Sequence, residues 1–204
     1  MEAHLRAGVA IYNAGYYHAA HDAWEEYWLD LPAGEDRDFL QGLIQFTAAV
    51  YHVRNGNAEG ARGLAESARE YLDGLGTEFH GVELDGVRTY LGAVESAPLD
   101  SGNPAPLTHE GKKLALTDLG FDATAVAAGV LAEELGYDEE TVERGIAYAR
   151  ADLDDGDESS QFVTFVFDFV RDEDHRPMVA RRLGEHVQRR SRREGDVDGL
   201  FGGQ

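Results

Sequence analysis

His18-Ala19-Ala20-His21-Asp22-Ala23-Trp24-Glu25-Glu26-Tyr27-Trp28 reads as three turns of one amphipathic helix. At about 100° per residue, His21, Glu25 and Trp28 fall on one face and His18 joins the same stripe. An imidazole and a carboxylate one turn apart can hydrogen-bond, which fixes the tautomer of the ring and raises its basicity. Upstream, Leu5, Val9, Tyr12, Tyr16, Ala20, Trp24 and Trp28 recur at helical spacing, interrupted at Asn13-Ala14-Gly15, where a turn separates two helices. Trp24 and Trp28, with Tyr16 and Tyr17, read as core aromatics.

Downstream, a third helix is expected over 35–54, stopped by Asn55-Gly56-Asn57, and a fourth over 58–75. On the third, Gln41, Gln45, Ala48 and His52 share a stripe, and small Ala48 permits close approach. If that stripe faces the second helix, His21, Glu25, Gln45 and His52 converge in a half-buried polar pocket roofed by Trp28. Placing Gly15 on Gly56 also superposes Ala20 on Ala61, as expected for two related helical hairpins in a tetratricopeptide-like arrangement.

The expected architecture is all-α: an N-terminal antiparallel helical bundle over 1–97, a linker or crossing segment over 98–117, a C-terminal helical array over 118–193 and a disordered tail over 194–204. The linker reading rests on Pro98-Leu99-Asp100-Ser101-Gly102-Asn103-Pro104-Ala105-Pro106. A helix is expected over 82–97 before it and a short extended segment over 107–118 after it. Further helices follow over 123–135, over 139–153 behind an Asp138 cap, over 161–171 behind Ser159 or Ser160, and over 177–193 with Pro177 at its start. Phe162 to Val170 is aromatic and β-branched enough for a strand; its neighbours favour a buried helix, and its apolar bulk suggests a dimer interface.

The chain has 204 residues, 18 Lys plus Arg against 39 Asp plus Glu, and a formal net charge of −21. Such acidity argues against a generic nucleic-acid binder. Cysteine is absent, which excludes disulfides and thiolate chemistry. Lys112 and Lys113 are the only lysines. This composition resembles that of proteins from salt-loving archaea, in which hydrated carboxylates maintain solubility. No run reaches a membrane span, and Met1-Glu2-Ala3-His4 lacks the start of a secretion signal, so a cytoplasmic protein is expected. The last predicted helix departs from the mean, with Arg176, Arg181, Arg182, Arg189, Arg190, Arg192 and Arg193 against Glu185 alone. Docking onto the chain's own carboxylates or onto a second subunit accounts for it more simply than nucleic acid does. Asp152-Leu153-Asp154-Asp155-Gly156-Asp157-Glu158 fails as a calcium loop, because its glycine is one position early and Val163 stands where a bidentate Glu belongs.

Asn13-x-Gly15-x-Tyr17-x-x-Ala20, His21-x-x-x-Glu25-x-x-Trp28, Phe39-Leu40-Gln41-Gly42-Leu43-Ile44-Gln45 and Asn55-Gly56-Asn57-x-x-Gly60-Ala61 occur in order. Together they resemble the small helical family known as domain of unknown function 309. The resemblance is dense over residues 8 to 75 and looser over Pro106 to Leu119. It implies an all-helical bundle, found in bacteria and archaea, without an assigned activity, and it carries over His21, Glu25 and Trp28 as motif positions.

The expected function is a binding or scaffold module with a structural His–Glu–Trp cluster, no cofactor, and an unknown protein or small-molecule partner, in a homodimer. The alternative is a small hydrolase, with His21 and Glu25 as acid–base residues, or with His18, His21, Glu25 and His52 holding a divalent metal such as zinc. A second alternative is nucleic-acid association through the Arg-rich helix.

Overall fold

The computed structural model describes residues 1–157 and 159–201, with side chains as far as residue 195. It is predominantly helical, and its helices pack as hairpins. α1 (Glu2–Ala14) and α2 (Tyr17–Trp28) form the first hairpin, α3 (Glu35–Arg54) and α4 (Ala58–Leu72) the second. Gly15 and Gly56 occupy the left-handed region at φ 94° and 71°, in agreement with the internal similarity of the two turns. α3 opens with Glu35, Asp36 and Asp38, which complement its dipole. The Asn57 side chain accepts the Gly60 N–H at 3.0 Å and starts α4.

The core of this bundle is Leu5, Val9, Ile11, Trp24, Phe39, Leu43 and Phe46. α1 can approach α2 closely because Gly8 faces the Trp24 indole: a Cβ built there would lie 2.1 Å from Nε1. That indole donates to the Leu5 carbonyl at 3.3 Å, so Trp24 is the core residue its spacing predicts.

Two short hairpins follow. β1 (Glu78–Phe79) pairs with β2 (Val82–Glu83), β2 with β3 (Thr108–His109) and β3 with β4 (Lys112–Lys113), all antiparallel. Both hairpin turns carry positive φ at two successive residues, His80-Gly81 and Glu110-Gly111, the requirement of a type I′ turn. The helix expected from Val82 starts at Asp85 instead (α5, Asp85–Ser96), because buried Val82 is committed to the ladder with Phe79 and His109.

Contacts divide the chain into a unit Met1–Val130 and a unit from Leu131 onward, the division falling inside α6 (Phe121–Leu135). The segment 98–117, read above as a linker, lies within the first unit. Asn13 Nδ2 donates to the Leu107 and Leu114 carbonyls, each at 2.9 Å, and Asn13 Oδ1 accepts the Leu107 N–H at 2.8 Å. Tyr12 Oη adds a bond to the Ala105 carbonyl at 3.0 Å. A side chain read from sequence as a turn former therefore clasps the two ends of the β3–β4 hairpin, about a hundred residues away.

In the second unit α7 (Glu139–Asp154), α8 (Gln161–Arg171) and α9 (Arg176–Phe201) pack together. Asp138 and Ser160 are the caps. The ambiguous aromatic run is helical, with Phe162, Val166, Phe169 and Val170 buried. α9 runs beyond Arg193 to Phe201, so the tail expected from residue 194 begins as helix; residues 202–204 lie outside the described residues. Arg176 is buried and closes the end of α8 through the Phe169 and Val170 carbonyls. No described helix is long and apolar enough to cross a membrane.

Candidate functional site

α2 carries two histidine–carboxylate contacts at one-turn spacing along its polar face. His18 Nδ1 lies 3.1 Å from Asp22 Oδ2, and His21 Nε2 lies 3.7 Å from Glu25 Oε2. The two imidazoles stack, with centroids 6.3 Å apart and planes 10° from parallel. His21, Asp22 and Glu25 each offer one ligand atom, and these three atoms lie within 4.8 Å of one another. Asp22 was not among the ligands read from sequence; its position four residues after His18 was the available signal.

Burial decides what this face contributes to the fold. The side chains of His21 and Glu25 are 27% and 47% exposed, and they pair along one helix. An exposed pair at this spacing contributes about 0.3–0.5 kcal/mol, far less than a buried inter-helix pair. The His21–Glu25 pair is therefore a part-exposed contact within α2 and contributes little to the fold by itself.

Trp28, at the C-terminal end of α2, is held from α3. The Arg37 guanidinium lies 3.9 Å from the indole centroid, and its Nη1 donates to the Trp28 and Leu31 carbonyls at 2.9 and 2.5 Å. This closes the end of α2 and orders the turn into α3. Trp28 Nε1 is buried and has no hydrogen-bond partner among the described residues.

α2 packs on α3, whose Gln41, Gln45, Ala48 and His52 form a stripe of part-exposed residues. Gln45 Oε1 is buried and accepts no hydrogen bond from the described residues. His52 sits in the last turn of α3, where its Nδ1 is 2.9 Å from Asn57 Nδ2. It is held at the α3–α4 turn and is not among the ligand atoms grouped at His21, Asp22 and Glu25. His18 remains on the α2 face through its contacts with Asp22 and His21.

Residues 5–64 match the family model described as domain of unknown function DUF309. The matched segment spans most of α1, all of α2 and α3, and the first part of α4, so it contains every residue of the candidate site. The chain is also 27% identical, over 105 residues, to an uncharacterized protein of Aquifex aeolicus (strain VF5), an alignment covering 52% of this chain. It covers 31% of that relative's own length. The chain is a helical protein of unknown function.

The arginines of α9 are largely engaged within the second unit. Arg190 Nη1 lies 2.5 Å from Asp152 Oδ1, its Nε donates to Glu194 at 3.3 Å, and its guanidinium covers the Tyr148 ring at 4.3 Å. Arg181 pairs with Glu185 at 2.9 Å. With Arg176 buried as well, much of the expected basic surface is already used by the chain itself.

Proposed function

We propose that the DUF309 segment is a binding module whose contact surface is the polar face of α2 and the adjoining stripe of α3, comprising His21, Glu25, Trp28, Gln41 and Gln45. The observation that supports this reading best is the pair of buried polar atoms, Trp28 Nε1 and Gln45 Oε1, which have no hydrogen-bond partner among the described residues. Each unmade bond of this kind costs about 1–3 kcal/mol, which a ligand's acceptor and donor would offset once rotation of the Trp28 and Gln45 side chains brings these buried atoms to the surface. The part exposure of His21 and Glu25 leaves them accessible to the same ligand. A small polar molecule or a peptide segment offers the required mixture of donors and acceptors. The exchange of Gln45 for Met tests the reading, since it keeps side-chain length and removes the orphan acceptor. Under this proposal the free protein keeps its stability or gains about 1 kcal/mol; a loss above about 2 kcal/mol means that Gln45 is part of the fold's own hydrogen bonding.

A second reading is favoured by the closeness of the His21, Asp22 and Glu25 ligand atoms. One imidazole and two carboxylates suit zinc or non-haem iron. A bound divalent metal would there supply Lewis acidity and lower the pKa of a water molecule, the chemistry of a metal-dependent hydrolase. In this reading His21, Asp22 and Glu25 are the ligands and His18 steadies Asp22. Zinc titration by calorimetry separates the two: stoichiometric uptake lost in His21→Ala and Glu25→Ala, with helicity retained, favours the metal site, and its absence leaves the binding module. The acid excess and the scarcity of lysine support a cytoplasmic home in a high-salt host, and the partly exposed rings of Phe165 and Phe167 on α8 support a homodimer.

A further inference from the structure

The only two lysines of this acidic chain are neighbours on β4, and both line a cleft of about 570 Å³ with Arg6, His109, Glu110, Leu114 and Asp118. Acids outnumber bases about two to one in the sequence, so a lysine placed at random on the surface would readily meet a carboxylate. Yet neither Lys112 nor Lys113 has a side-chain hydrogen bond or ion pair among the described residues.

The cleft floor is built. His109, 3% exposed, sits opposite Lys112 in the β3–β4 register. Arg6 Nη1 donates to His109 Nδ1 at 3.3 Å, which leaves the ring proton on Nε2, the nitrogen that lies 3.7 Å from Glu2 Oε1. The imidazole thereby anchors the Arg6 guanidinium at the cleft; Arg6 is itself only a quarter exposed, and its Nη1 also lies 3.8 Å from the exposed Glu2 carboxylate, an ion pair that a phosphate bound there would have to displace. One of the two acids there is already occupied, since Asp118 Oδ2 accepts the Ala115 N–H at 2.8 Å. The Glu110 carboxylate has no partner among the described residues and remains as an acceptor at the tip of the β3–β4 turn.

We propose that this cleft binds a small phosphate ester, its oxyanion held by Lys112, Lys113 and Arg6 and its hydroxyl groups donating to Glu110. Three cations suit the charge and multiple acceptor oxygens of a phosphate monoester. The nearby carboxylates oppose an extended polyanion, so nucleic acid is disfavoured there by the same geometry. His109 is a positioning residue, acting on the ligand through Arg6.

Calorimetric titration of the full chain with sn-glycerol 3-phosphate, at fixed ionic strength, reads the proposal directly. The expected result is saturable binding, with sodium sulfate and chloride giving no comparable heat. In Lys112→Gln/Lys113→Gln, a pair of exposed changes that leaves helicity intact by circular dichroism, the dissociation constant rises about tenfold or more. Glu110→Gln narrows the preference for the glycerol ester over inorganic phosphate. No saturable binding, equal binding of sulfate, or an unchanged constant in the double variant each overturns the assignment.

Discussion

Replacing Asn13 with Asp changes one atom group and tests whether a residue on α1 holds the distant β3–β4 segment in place. In the native chain the Asn13 amide donates two hydrogen bonds, to the Leu107 and Leu114 carbonyls, and accepts one from the Leu107 N–H. The carboxylate keeps the accepted bond and loses both donated ones, leaving a negative oxygen against two carbonyl oxygens. Two net bonds at about 1 kcal/mol each, together with the repulsion, give a loss of about 3 kcal/mol at neutral pH. The new carboxyl disfavours its charged form in the fold, so its folded pKa lies above the unfolded value of about 3.9. The native state then binds more protons than the unfolded chain, and the deficit, full above the folded pKa, narrows as pH falls through it. Asn13→Ala shows a similar loss without this pH dependence. Urea unfolding followed by tryptophan fluorescence is the assay, because Trp24 and Trp28 are the only tryptophans and both lie in the first unit. A loss below about 0.5 kcal/mol, or a deficit that widens in acid, refutes the reasoning.

Gly8→Ala forces a methyl group into the buried Trp24 indole and is expected to destabilise the first unit by about 3 kcal/mol in the same assay, a change under about 1 kcal/mol meaning that α1 and α2 separate freely. His21→Ala should cost less than about 0.5 kcal/mol, as measured by urea midpoint, because its pair with Glu25 is exposed and local to α2. In the second unit burial would raise the Asp152 carboxyl, but hydrogen bonds from Ser160 and Arg190 and the arginine's charge overcome it and hold the pKa below the ordinary 3.8. The native state therefore binds fewer protons in that window, so stability present above 3.8 is lost as pH falls through the folded value; Asp152→Asn should flatten this acid loss in circular-dichroism melts between about pH 5 and pH 2.

Helix periodicity and breakers placed α3 at Glu35–Arg54 and α8 at Gln161–Arg171, because apolar spacing and capping residues act over a few neighbours along the chain. The polar face of α2 was legible for the same reason: His18, His21, Glu25 and Trp28 are related by rotation about one axis. Local spacing carries no information on whether a stripe on α3 meets that face, which is why His52 was grouped with His21 and instead holds the α3–α4 turn through Asn57. A carboxylate in so acidic a chain carries no distinguishing signal of its own, and Asp22 stands out only through the nearness of its oxygen to two other ligand atoms.

The sequence by itself determined that the chain is helical, where most helices start and stop, and which side chains share the α2 face, since those follow from steric and hydrogen-bonding preferences within a turn or two. Tertiary structure alone decided that Asn13 ties Leu107 and Leu114 into the first unit, that the His21–Glu25 pair is part-exposed, and that Lys112 and Lys113 share a cleft with Arg6. Those outcomes depend on contacts between residues far apart along the chain, whose formation is set by competition among all the surfaces that could be buried rather than by any one segment's pattern.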